Sequence, residues 1–162
     1  MIQSFDPLDP DTPVFWLRLG TAVLCGGIIG LERQLRGKAA GIRTSILICL
    51  GTQLFVSLGS SFAGERVDPT RVLAQVVTGI GFLGGGVILA REGAVIGVTS
   101  AAVIWVLAAL GSLIGLGHLV AAIVLSVVTV GLLIGVELLE SVFRRLREGA
   151  TDRELEQIDL QE

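Results

Sequence analysis

Four long stretches of this chain, residues 19–31, 44–63, 72–90 and 94–136, contain no Asp, Glu, Lys or Arg. A soluble domain carries about 25% charged residues spread over its surface; here the figure is 17%, gathered into short blocks. Apolar runs of about 20 residues match a hydrocarbon core of about 30 Å. The pattern predicts an all-α membrane protein, a five-transmembrane-helix bundle with spans near 13–31, 44–63, 68–90, 98–116 and 119–138. Residues 1–12 read as a short acidic leader, 13–140 as the five-helix transmembrane domain, and 141–162 as a charged cytoplasmic tail. The leader holds Asp6, Asp9 and Asp11 and no basic residue. That is the wrong start for a cleavable signal peptide, so the first helix is expected to direct insertion.

Basic residues set the orientation. With the amino terminus outside, the inner connections hold Arg33, Arg36, Lys38, Arg43, Arg91, Arg144, Arg145, Arg147 and Arg153. The outer ones hold Arg66 and Arg71, with Arg18 at the boundary, where it is expected to snorkel outward. The amino terminus is therefore expected outside and the carboxyl terminus in the cytoplasm. Trp16 reads as an interfacial anchor of the first span.

Residues 68–90 read DPTRVLAQVVTGIGFLGGGVILA, and five of the eight residues from Gly79 to Gly86 are glycine. Glycine is a poor helix former, so such a run is expected where neighbouring helices press close. Arg71, Gln75 and Thr78 recur at i, i+4 and i+7 and share one face, which continues through Gly79, Phe82 and Gly86. The third span is therefore expected at the packed centre of the bundle, its polar edge turned inward. Gly79, Gly81, Gly84, Gly85 and Gly86 would form its packing surface, and leucine at Gly81 or Gly84 would force backbones apart. Pairs at GxxxG spacing, Gly26/Gly30, Gly81/Gly85, Gly111/Gly115 and Gly131/Gly135, extend the theme within or between subunits. Trp105, near mid-depth on the fourth span, joins the packing set.

The polar residues kept at span ends or inside spans are the candidate functional set. Glu32 and Arg33 close the first span, and Arg43 and Thr44 open the second. Glu32, one carboxylate in a basic loop, would pair with Arg43 or Arg33 and make a fixed polar vestibule; the bland alternative is interfacial anchoring. Cys49, Gln53, Ser57 and Ser60 recur as a stripe on the second span, with Gln53 roughly 13 Å along it and so near the bilayer middle. Asp68 would cap the third helix, with Pro69 at its first position. Arg71 would then point inward, where a buried cation needs a partner or an anionic ligand. Thr99 and Ser100 open the fourth span. His118 reads as a solvated turn residue.

Cys25 and Cys49 both fall in apolar runs and read as small buried hydrophobes. No basic, aromatic-interleaved stretch suggests nucleic acid, and no Ser-His-Asp set, HExxH, P-loop or dinucleotide fingerprint suggests an enzyme. Carboxylates and histidines do not cluster, so neither a metal site nor a cofactor is expected.

Three blocks carry a family resemblance: GIIGLERQLRGKAAGIRTSILICLG, DPTRVLAQVVTGIGFLGGGVIL and VTSAAVIWVLAALGSLIGLG. In this order and spacing they resemble the MgtC/SapB family of bacterial inner-membrane proteins over about residues 18–138. The resemblance implies a multi-pass inner-membrane protein with five spans and a periplasmic amino terminus. It also implies a link to magnesium limitation, acid or intracellular stress and virulence. Members of that family are thought to act by modulating other membrane machinery, such as ion-motive ATPases. The signature positions carried over are Glu32, Arg33, Gln34, Gly41, Arg43, Thr44, Asp68, Pro69, Arg71, Gln75, Gly79, Gly81, Phe82, Gly84, Gly86, Thr99, Ala102 and Trp105. Longer members carry a soluble domain after the fifth span; only residues 141–162 follow here, as in the shorter SapB-like members. Gly85 stands where alanine would be expected.

Three functions follow as expectations. The first is a regulator that binds another membrane complex through glycine-rich faces. The second is a small transporter or channel along the Gln53/Ser57 and Arg71/Gln75/Thr78 stripes. The third is a scaffolding oligomer. A homo-oligomer, with a dimer favoured, fits all three.

Overall fold

The computed structural model describes residues 8–61, 70–91 and 94–159. They form five helices and one hairpin: α1 (Pro13–Leu35), α2 (Ile42–Ser61), α3 (Thr70–Gly85), β1 (Leu89–Arg91), β2 (Ala94–Ile96), α4 (Val98–Gly115) and α5 (Leu119–Asp159). Among the described residues, four helices are long and apolar enough to cross a membrane: α1, α2, α4 and the Leu119–Leu139 part of α5. The chain divides into two units, 1–127 and 128–162. The described residues of the second unit belong to α5, which ends at Asp159.

Local chemistry explains the ends. Pro13 sits in the first turn of α1, where its missing N–H costs nothing. The other end closes in a Schellman turn: the Gly37 N–H donates to the Gln34 carbonyl (3.1 Å) and the Lys38 N–H to the Arg33 carbonyl (2.9 Å). Gly37 has φ +60, which glycine adopts without strain. Gln34 then reaches across the loop, its Oε1 accepting from the Ile42 N–H at 3.3 Å at the start of α2. In the first turn of α1, the Trp16 indole donates to the Pro10 carbonyl (2.9 Å) and ties down the end of the leader.

The core is built around α2. On one side a Cβ at Gly26 would lie 2.7 Å from the Ile46 Cα, and one at Gly30 would lie 2.6 Å from the Ile42 Cα. On the other side a Cβ at Gly111 would lie 2.6 Å from the Cys49 carbonyl oxygen, and one at Gly115 would lie 2.9 Å from that of Gln53. These are backbone contacts, too close for any side chain, so α1 and α4 clamp α2 through missing side chains. Cys25, Ile29, Cys49, Leu107, Leu110 and Ile114 fill the space between, all at most 1% exposed. Both cysteines are free thiols.

The third span departs from expectation. α3 has 16 residues, about 24 Å at 1.5 Å per residue, and it ends at Gly85 rather than continuing to residue 90. The Gly84–Gly85–Gly86 run gives the helix no side chains to hold its last turn, and the chain turns through Gly86 and Val87 into the hairpin. There Leu89 pairs with Ile96, Ala90 with Val95 and Arg91 with Ala94. The short link expected over residues 91–97 is thus largely strand. Gly97, at φ +90, packs so closely on the Val87 carbonyl that no side chain would fit, and it delivers the chain into α4.

α3 is also not the packed centre. Arg71, Gln75, Thr78, Gly79, Gly81 and Gly85 are exposed, and Phe82 is 85% exposed. A Cβ at Gly79, Gly81 or Gly85 would meet no atom within 4 Å, and at Gly86 it would meet only the carbonyls of its own preceding turn. Gly84 alone faces a neighbour, with an ordinary 3.8 Å contact to the Ala101 Cβ on α4. Trp105 is half exposed at the edge of that contact. The inward polar edge and the central glycine seam read from residues 68–90 are therefore corrected: α3 buries Ile80 and Gly84 and turns its polar edge outward.

Candidate functional site

Buried polar groups collect at the two ends of the α1–α2–α4 core. At the carboxyl end of α1, Glu32 is 7% exposed and Arg33 is 3% exposed. Both lie in the last turn, on the side that also carries Ile29 and Gly30 into the core. The Arg33 Nη2 donates to the Ser100 hydroxyl at 2.8 Å, joining α1 to the first turn of α4. A cation beside a helix amino terminus is unfavourable by itself; the Glu32 carboxylate, 4.0 Å from the Arg33 Nη1, offsets it. The Arg36 Nε lies 2.6 Å from Glu32 Oε1. That is a charge contact without hydrogen-bond alignment, because both Glu32 oxygens and the Arg33 Nε are buried with no hydrogen bond. Ser45, wholly buried beneath Gly30, donates to the Ala40 carbonyl at 2.9 Å and braces the loop.

At the amino end of α1, Arg18 turns inward rather than snorkelling. Its Nη1 donates to the Ser57 hydroxyl (3.1 Å) and to the Gly115 carbonyl (2.8 Å). The Gln53 amide donates to the same hydroxyl at 3.1 Å. A guanidinium on the last carbonyls of α4 satisfies acceptors left free at a helix end and complements the helix dipole. Gln53 and Ser57 are 2% and 0% exposed, and the Gln53 Oε1 has no hydrogen bond.

The two ends lie 15 residues apart on α1, about 22 Å. Between them Cys25, Ile29, Cys49, Ile104 and Leu107 form an apolar layer at most 2% exposed. The Cys49 thiol donates to the Leu107 carbonyl at 3.3 Å, so even this sulfur is held.

Of the two partners expected for Glu32, Arg33 lies 4.0 Å away and Arg43 does not join it; Arg36 and Ser100 complete the cluster. Arg43 and Thr44 lie exposed on the first turn of α2, and Thr99 is exposed one residue before the buried Ser100. Asp68 lies outside the described residues. Ser100, expected only to open the fourth span, and Arg18, expected to snorkel, take roles in the core that the sequence does not assign them. Ser100 could have been found by its spacing, since Ser100, Val103, Ile104, Leu107 and Gly111 share one helix face while Thr99 falls on another. Among the described residues no three His, Cys, Asp or Glu side chains group to hold a metal. Two grooves flank α3: one of about 410 Å³ toward α2 and one of about 650 Å³ toward α4.

The family model for the MgtC family matches residues 19–142. The chain belongs to the MgtC family. Protein MgtC of Brucella abortus (strain 2308) is 43% identical over 136 residues, covering 82% of this chain and 56% of that protein. YhiD of Escherichia coli K12, provisionally named a magnesium transporter, is 47% identical over 113 residues, covering 65% of this chain and 53% of that protein. The protein slr0014 of Synechocystis is 46% identical over 101 residues, covering 62% of this chain and 43% of that protein. The chain spans about half the length of these curated relatives. No solved structure matches it. The MgtC match takes in the Glu32–Arg33–Ser100 cluster, the apolar layer and Gln53 with Ser57, and begins one residue after Arg18. MgtC membership and the four apolar helices make this a multi-pass membrane protein.

Proposed function

We propose that this MgtC-family protein acts in the bacterial inner membrane as a regulator of another ion-handling membrane complex, under magnesium limitation, acid or intracellular stress. In this reading it has five membrane passes, a periplasmic amino terminus and a cytoplasmic carboxyl terminus, and it catalyses no reaction. α3 with its hairpin is the third pass. The observation that carries the proposal is the closed middle of the core. The two stripes that would line a transport path do not face each other: Gln53 and Ser57 are locked toward α1 and α4, while Arg71, Gln75 and Thr78 face outward. The apolar layer separates the two polar ends.

What a regulator needs is an open face, and the groove between α3 and α4 supplies one. Gly81, Gly85, Ala102 and Trp105 line it, and the open glycines let another helix approach closely. This face would take the partner complex or a second copy of the chain. Tagged protein extracted from stressed cells should bring down a defined membrane complex. Gly81→Leu with Gly85→Leu should abolish that capture while leaving the chain folded. Undiminished capture by the double variant contradicts the assignment of this face.

A further inference from the structure

We propose that the groove between α2 and α3 is a binding site for one anionic phospholipid. The inference rests on the membrane placement of α3 and not on the regulatory role. Arg71, the second residue of α3, stands at one end of the groove with Gln75 one turn further on. Both are exposed, and no partner for either side chain is found among the described residues. Beyond them the walls are apolar: Val72, Val76 and Ile80 on α3 and Phe55 on α2. Gly79 keeps the groove open, since a Cβ there would touch nothing within 4 Å.

Charge and length together select the occupant. An arginine facing lipid is costly unless something anionic meets it, and here it sits beside the amino end of α3, which is itself electropositive. From Arg71 to Ile80 the groove runs nine residues, about 14 Å. That is half of a hydrocarbon core of about 30 Å, the depth of one leaflet. One phosphate at Arg71 and one acyl chain along Val76, Gly79 and Ile80 fill this geometry. The volume of about 410 Å³ lies within the usual range for small-ligand sites, about 300–1,000 Å³. A wholly apolar helix in the groove would leave the cation unmatched.

The test is native mass spectrometry of the full chain in neutral detergent, titrated with phosphatidylglycerol or phosphatidylcholine. The wild type should retain phosphatidylglycerol preferentially. Arg71→Ala should cut that preference about fivefold, the scale of one basic residue at an anionic surface, and Arg71→Lys should keep most of it. Gly79→Leu, which fills the groove at a position with free space, should lower retention of both lipids, and soluble glycerol phosphate should not compete. Equal retention of the two lipids by the wild type overturns the proposal, as does an unchanged preference in both Arg71→Ala and Gly79→Leu. Competition by glycerol phosphate makes this a phosphate site instead. Loss of a lipid-independent dimer in those two variants makes it a protein interface.

Discussion

Gly111→Leu is expected to disrupt the core outright. The first added carbon would lie 2.6 Å from the Cys49 carbonyl oxygen and 2.7 Å from the Thr52 Cβ, with α2 already clamped from its far side by Gly26 and Gly30. α2 cannot retreat without opening the α1 seam. Overpacking a filled core costs about 1–3 kcal/mol for one or two methylenes, and leucine adds more against backbone. The measurement is SDS-driven unfolding of the purified chain in mild detergent: Gly111→Leu should show little folded protein at any SDS fraction, and Gly111→Ala an early midpoint. Gly81→Ala is the contrast. With nothing within 4 Å of its Cβ, it should be neutral or stabilising by about 0.5–1 kcal/mol from helix propensity. Equal destabilisation at the two sites would place the tight seam elsewhere.

Arg33→Leu should be nearly as damaging, through charge rather than volume. It leaves Glu32, 7% exposed, with only the Arg36 contact to compensate it, and removes the donor to the Ser100 hydroxyl. Breaking one partner of a buried ion pair costs about 3–5 kcal/mol, and the surviving Arg36 contact places the expectation near the lower figure. Adding Glu32→Gln removes the stranded charge, so the double variant should recover part of the loss in a double-mutant cycle. Strict additivity of the two single changes would mean that Glu32 and Arg33 do not sense each other.

Much of this architecture was legible in the chain. Charge-free runs of the right length marked α1, α2, α4 and the apolar part of α5, because a bilayer demands continuous apolar helices. The Gly26/Gly30 and Gly111/Gly115 pairs named the true seams, and Glu32 with Arg33 marked one polar end. The error lay in α3. Glycine density there suggests close packing, but glycine also ends helices and leaves grooves, and spacing alone cannot distinguish a face pressed on a neighbour from a face left open. The hairpin was hidden because Leu89, Ala90 and Ala94–Ile96 continue the apolar composition of the spans. The inward turn of Arg18 is not legible in the sequence, because nothing local shows that Ser57 and the Gly115 carbonyl meet it from two other helices.

The closed core is tested most directly by ion flux. The purified chain reconstituted alone into liposomes should pass neither protons nor magnesium above the rate of empty vesicles, because the layer of Cys25, Ile29, Cys49, Ile104 and Leu107 separates its two polar ends. Sustained flux by the wild type that is lost in Gln53→Leu would contradict that account and make the second helix the wall of a pathway.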